Sequence, residues 1–361
     1  MKILIVQDYL RSGGTERQAL LLTRAFAADG HPTTLLTFRP SGALAHLGED
    51  LDHCSLQPFD LHLDWFAPGL SSAATRLQPE VVLCMGRMAN CYAGYLQHHL
   101  PRSPVVATLR TGKALPFLFR RSLRTVRHIV ANSHEARAGL ISNQHLPAAK
   151  ISVIHNSLVF PATSAAGRND ALRAHFGATP ETNVLLNVAM FRPEKNQREL
   201  VQIVAGLPAT ADWQLWLAGD GPARASCERL AAALELSRRV RFLGFHRDPA
   251  PLYAAADVAV HASTSESLSN FLIEAQAHGL PAVAYAAQGI GECFVPDRTG
   301  WMIPSADRPA FIAALAPLFQ RSTPARAALA DEARAFARTT FDPARQVAAY
   351  LDLFARLSAG T

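Results

Sequence analysis

"HNSLVFPATSAAGRND", residues 155–170, is the stretch on which the fold turns. Apolar periodicity stops here, and Pro, Ser, Gly and Asn collect as they do in a linker. Upstream, KILIVQ (2–7), TTLLTF (33–38), VVLCM (81–85), VVATL (105–109), HIVAN (128–132) and ISVI (151–154) read as strands. Helical stretches such as TERQALLLTRAFAAD (15–29) separate them. Downstream the alternation restarts with NVLLNVAM (183–190), WQLWLAG (213–219), VRFLG (240–244), VAVHA (258–262), PAVAY (281–285) and GWMI (300–303). Strands without polar alternation, spaced by helices, signal parallel sheets covered on both faces. The chain therefore reads as α/β, with two doubly wound domains in tandem over 1–157 and 158–340.

Composition fits that reading. With 361 residues, 49% hydrophobic and 18% charged, the chain has material for two cores. Five scattered cysteines without metal-type spacing suit a reducing compartment. The apolar start MKILIVQ is too short for a signal peptide, and no run approaches the ~18 residues of a membrane span. The expectation is a soluble, cytoplasmic protein. A net charge of +6 suits anionic partners, but no aromatic-interleaved basic stretch or finger spacing points to nucleic acid.

Several loops after strands carry candidate chemistry. QDYLRSGGTERQ (7–18) puts Gly13 and Gly14 at a strand-to-helix turn, with the helix expected from Thr15 and that threonine suited to cap it. Such a start can meet a phosphate, though glycine is equally used merely to turn, and the spacing is not a dinucleotide fingerprint. FRPEKN (191–196) sets Arg192 and Lys195 at a carboxyl edge, as a diphosphate would require. AGDGP (218–222) places Gly219 in another turn at that edge. STSESLSNFLIEAQAHG (263–279) spaces Glu266 and Glu274 eight apart, near one face of a helix and too distant to share a proton. The aspartates of DLD (50–52) follow no apolar strand and are set aside as a metal motif.

LPFLFRRSLRTVRH (115–128) places Arg120, Arg121, Arg124 and Arg127 at offsets 0, 1, 4 and 7, one helical face, with Phe117 and Phe119 just ahead. That face suits anionic lipid headgroups, and equally a solvated helix.

Taken in order, GGTERQ, VIHNS, FRPEKN, AGDGP, LYAAADVAVHAS, the Glu266–Glu274 pair and GIGE…DRTGWMIP resemble the retaining family-4 glycosyltransferases of the GT-B fold, from the first strand to about residue 304. The resemblance implies two Rossmann-like domains facing a cleft. The first would take the acceptor, the second a nucleotide-diphosphate sugar, UDP favoured, and the last helix, about 341–361, would pack back on the first. It implies that Glu274 binds the ribose hydroxyls and that Glu266 faces the transferred sugar. Backbone N–H groups of Leu268, Ser269 and Asn270 would meet sugar and diphosphate, with Gly13, Gly14 and Gly219 also on the donor. Arg192 and Lys195 would hold the diphosphate with no metal ion. Thr15, Arg87, Asn90 and Thr111 would line the acceptor or sugar cleft. Arg110 stands where the family often has a histidine facing the sugar; a guanidinium there suits a carboxylate of an acidic sugar or charged acceptor, and equally the donor's own diphosphate or a protein carboxylate. The acceptor would be lipid-linked or an oligosaccharide, at the inner membrane face, in cell-surface glycan synthesis. A non-catalytic nucleotide-sugar subunit of a polysaccharide assembly and a sugar-nucleotide epimerase are the alternatives; nothing resembles the lysine-anchored pyridoxal site of a phosphorylase.

Overall fold

The computed structural model describes residues 1–11, 13–158, 160 and 168–359. Half of the linker stretch (159 and 161–167) lies outside the described residues. The chain forms two units, Met1–Ser157 together with the chain from Pro343 onward, and Leu158–Asp342.

The first unit is built on β1 (Ile3–Gln7), β2 (Thr33–Thr37), β3 (His53–Ser55), β4 (Val81–Cys84), β5 (Val105–Leu109), β6 (His128–Ala131) and β7 (Ile151–Val153). They form one parallel sheet in the order β3-β2-β1-β4-β5-β6-β7. All five residues of β1 are buried, which is why the run carries no polar alternation. β3 escapes the sequence reading because its residues, His53, Cys54 and Ser55, form a half-covered edge with no apolar run. The helix Pro343–Ala359 belongs to this unit. It lays Tyr350, Leu353 and Phe354 into the cluster of Ile3, Ile5, Leu20 and Phe26. Beside them Gln346 accepts from Ser157 Oγ at 2.7 Å and donates to Gln18 Oε1 at 3.0 Å, a satisfied buried amide network.

The second unit contains β8 (Asn183–Val188), β9 (Trp213–Ala218), β10 (Val240–Gly244), β11 (Val258–His261), β12 (Ala282–Tyr285) and β13 (Gly300–Ile303). Its parallel order is β10-β9-β8-β11-β12-β13. In each sheet the strand order reverses once, between β1 and β4 and between β8 and β11. Ligands of open parallel sheets bind outside the carboxyl ends of the strands at such reversals.

Two local expectations are corrected. The first helix is Gly14–Ala28, capped by Gly13 without a side-chain bond, so Thr15 lies inside it and caps nothing. The basic helix is Phe117–Thr125; Val126 turns extended to feed β6, so Arg127 falls off the helical face. Glu274 lies on a helix as expected, Asn270–Ala277, begun by Ser269, whose Oγ accepts from Leu272 N, and Glu266 precedes it. Asp50 pairs with Arg24, whereas Asp52 accepts from Thr34, so the two aspartates have separate partners.

Candidate active site

In the second unit the loop after β8 and the loop after β11 meet at the strand-order reversal. Thr264 N and Ser263 Oγ both donate to the Glu194 carbonyl, at 2.9 and 2.8 Å. The short 3-10 turn Pro193–Lys195 is held open by Asn196 in the left-handed region, a conformation asparagine tolerates. So supported, Lys195 Nζ reaches Glu266 Oε1 at 2.5 Å. His261 Nε2, from the last residue of β11, lies 3.1 Å from the same oxygen. Burial pushes the Glu266 carboxyl up, but the His261 hydrogen bond and the Lys195 charge outweigh it and hold the group at about 2. Arg192 is half-buried in the same loop and makes no side-chain hydrogen bond or ion pair among the described residues.

Glu274 is half-buried on the helix that follows and accepts from Tyr253 OH at 2.7 Å. Tyr253 is fully buried, and burial plus the neighbouring carboxylate raise its phenol well above the ordinary range, so it remains a donor. His278 stacks on Tyr253 at 4.7 Å between centroids, and its Nδ1 meets the Glu274 carbonyl at 2.9 Å. Burial lowers its pKa.

Two glycines explain the neighbouring turns. Gly219 has φ +135°, and a Cβ there would lie 2.0 Å from Ala189 O. Only glycine lets this turn pack against the loop that carries Arg192 and Lys195. Gly289, at φ +74°, would likewise place a Cβ 2.0 Å from Ser267 O, so the GIGE turn braces the loop of Leu268 and Ser269. Both residues are buried, and Ser269 starts the helix as its cap.

The first unit treats its predicted residues differently. A Cβ on Gly13 would lie 2.4 Å from Glu16 Oε2, so the positive end of this helix meets the protein's own carboxylate. Glu16 is buried and paired with Arg11 at 3.2 Å. At the β1/β4 reversal the buried Asp8 accepts from Ala89 N at 2.7 Å and Met88 N at 3.1 Å. Burial raises its carboxyl to about 6, against those two backbone bonds. Asn90 is buried. Its amide donates to Gly86 O at 2.7 Å and accepts from Thr108 N at 2.8 Å, so the fold uses both ends. Arg87 is exposed and donates to Ala114 O at 3.2 Å, and Thr111 Oγ1 accepts from Lys113 N at 3.1 Å.

Arg110 has two partners within its own unit. Its guanidinium donates to Asn156 Oδ1 and, at 3.0 Å, to Tyr350 OH on the last helix. Both acceptors are neutral oxygens of its own unit, and Nε is buried without a partner among the described residues. The sequence reading missed Tyr253, His261 and His278. For His261 a signal existed: it is the one polar side chain in the apolar run VAVHA, and a polar group in such a strand needs a partner.

Two family models cover most of the chain. "Glycosyl transferases group 1" matches residues 169–336 and "Glycosyltransferase Family 4" matches residues 12–158. The lipopolysaccharide core biosynthesis glycosyltransferase LpsE of Rhizobium meliloti is 35% identical over 144 residues, 40% of this chain and 41% of that one. A D-inositol 3-phosphate glycosyltransferase of Mycolicibacterium paratuberculosis is 33% identical over 218 residues, 58% of this chain and 48% of its own. The matches thus span about half or less of those relatives' lengths. The solved structure of HepE of Anabaena in complex with UDP-glucose superposes with a TM-score of 0.81, covering 100% of both chains at 22% identity. Sucrose-phosphate synthase of Thermosynechococcus elongatus gives 0.79 at 20% identity, with 100% of both chains covered. These two likenesses speak for the GT-B fold.

Proposed function

The chain belongs to the group 1 glycosyltransferases, and on that premise we propose that it moves a sugar from a UDP-sugar to a lipid-linked or oligosaccharide acceptor in lipopolysaccharide or similar glycan synthesis. The observation that carries this reading is the Lys195–Glu266 pair at the sheet's reversal point, beside Arg192, which has no side-chain partner among the described residues. HepE, solved with UDP-glucose, supports the choice of base. The two cations meet the negative charge that develops on the departing diphosphate, so no metal ion is needed. Glu266 takes a hydroxyl of the transferred sugar and Glu274 the ribose. The bond between the anomeric carbon and the diphosphate oxygen breaks, and the acceptor oxygen bonds that carbon on the same face. The freed phosphate oxygen takes the acceptor's proton, and configuration is retained. Incubation with UDP-glucose and a lipid-linked or oligosaccharide acceptor, with and without EDTA, tests this; release of UDP without a glycosylated product defeats it.

The two glutamates should separate in calorimetry. Glu274→Ala is expected to weaken free UDP roughly tenfold, the scale of a hydrogen bond to a charged group. Glu266→Ala should leave UDP within about twofold yet lose turnover. Equal losses of free UDP in both variants would show the division of roles to be wrong.

For the acceptor side, the helix Phe117–Thr125 exposes Phe117 (67%) and Leu118 (57%), while Arg120, Arg121 and Arg124 line a shallow concavity with Phe117. Among the described residues no helix is long and apolar enough to cross a membrane. We read this helix as an anchor on the anionic inner leaflet, apolar side chains inserted and arginines on headgroups. Liposome sedimentation should show binding that grows with anionic lipid and fades with salt. A variant with Arg120, Arg121 and Arg124 all changed to serine should lose it; undiminished pelleting would remove the anchor.

A further inference from the structure

The two oxygens of Glu266 stand in different situations. Oε1 receives both Lys195 Nζ, at 2.5 Å, and His261 Nε2, at 3.1 Å. Oε2 accepts no hydrogen bond among the described residues and is reachable from solvent. His261 is 1% exposed, lies 5.9 Å from the Phe271 ring between centroids, and its Nδ1 is buried without a partner. A ring so placed binds a carboxylate in one way: Nε2 carries the proton and donates it, and Nδ1 keeps a bare lone pair. A doubly protonated ring would bury an unpaired N–H.

We propose that His261 is a positioning residue for sugar transfer: it fixes Oε1 of Glu266 so that Oε2 is left for a hydroxyl of the donor sugar. This inference rests on Glu266 facing the sugar, as set out under the proposed function. The physical need is rotational. Glu266 lies on a loop, and Lys195 is a flexible point charge that either oxygen satisfies equally. A donor fixed at the end of a buried strand has no such freedom. With both donors on one oxygen the carboxylate has a single orientation, and the order of fixing is strand, ring, carboxylate, sugar.

The experiment uses UDP and UDP-glucose as probes, with binding followed by calorimetry and turnover as glycosylated product formed from UDP-glucose and the lipid-linked or oligosaccharide acceptor. His261→Leu should bind UDP within about twofold of wild type and lose roughly tenfold in turnover, as expected for one hydrogen bond to a charged group. His261→Gln, whose amide nitrogen can occupy the Nε2 position, should recover most of it, whereas His261→Asn, which reaches only the Nδ1 position, should not. That contrast decides the matter even if the leucine variant does not fold. In a Glu266→Gln background, His261→Leu should change turnover by less than about twofold. An undiminished effect in that background, or equal turnover by the Gln and Asn variants, would overturn the proposal. If wild type binds neither probe, the donor reading itself falls and takes this inference with it; if wild type binds both and His261→Leu turns over normally, only the positioning role is lost.

Discussion

Lys195→Ala should lower turnover about a hundredfold or more, the scale of removing one charge stabiliser from a transition state. The lysine emerges from a short turn, its side chain is 27% exposed, and no core volume leaves with it. Its charge has two uses. In the structure it pairs with Glu266, and on the proposed reading it meets the charge growing on the leaving diphosphate during transfer. Arg192→Ala should show a similar fall, without the first effect, because Arg192 has no carboxylate partner among the described residues. Near-wild-type turnover in both variants would remove the diphosphate assignment.

The same substitution has a pH signature. Glu266 stands at about 2 in the folded protein against an ordinary 4.5. A depressed carboxyl contributes stability that is present above its unfolded value and is lost as pH falls through the folded value. The stability gap between wild type and Lys195→Ala, of roughly 1.5–3 kcal/mol for a hydrogen bond to a charged group, should therefore hold at neutral pH and close between about 4.5 and 2. Urea midpoints measured across that range check it. A gap independent of pH would mean that the loss comes from the turn and not from the ion pair.

How much of this was legible follows from the distance over which each feature is determined. Strands such as Val105–Leu109 and Trp213–Ala218 announce themselves because full burial demands an unbroken apolar run, a purely local signal. The edge strand His53–Ser55 has one partner strand and half-exposed side chains, so it demands none. Ser269 was readable as a helix cap, and with it the fact that Glu266 precedes the helix; periodicity alone blurred that boundary. Contacts that join distant segments were not readable. Lys195 and Glu266 are 71 positions apart, and Arg110 and Tyr350 are 240. The resemblance supplied Lys195 and Glu266 as separate binders, whereas the geometry makes them one ion pair. For Arg110, charge logic called for an anion, and the fold supplies an amide oxygen and a phenol to its two Nη groups, while its Nε stays buried without a partner among the described residues.

Asp257→Ala should cost about 3–5 kcal/mol of stability, the scale of stripping the partner from a buried charge. Asp257 stands just ahead of β11, with its side chain 8% exposed, and binds three groups at once. Arg173 Nη1 donates to Oδ2 at 2.9 Å, Val184 N to the same oxygen at 2.8 Å, and Arg326 Nη1 to Oδ1 at 3.1 Å. Arg173 is 1% exposed, and its other hydrogen bonds go to the carbonyls of Ala255, Thr179 and Thr182. Those dipoles orient the guanidinium but carry no net charge, so Asp257 is the carboxylate that balances it. Val184 lies in β8, so the aspartate also fastens the start of β11 to the strand whose other end leads to Arg192 and Lys195. Arg326, with its side chain 36% exposed, is the control: Arg326→Ala should stay within about 1 kcal/mol, as exposed pairs do. The double variant Arg173→Leu/Asp257→Leu should be more stable than Asp257→Ala alone, because no charge is left buried. Urea unfolding of the second unit, followed by the fluorescence of Trp213 and Trp216, gives the three numbers. If Asp257→Ala and Arg326→Ala unfold at the same midpoint, the buried charge is being balanced elsewhere, and the account of how β11 is anchored beneath the site is wrong.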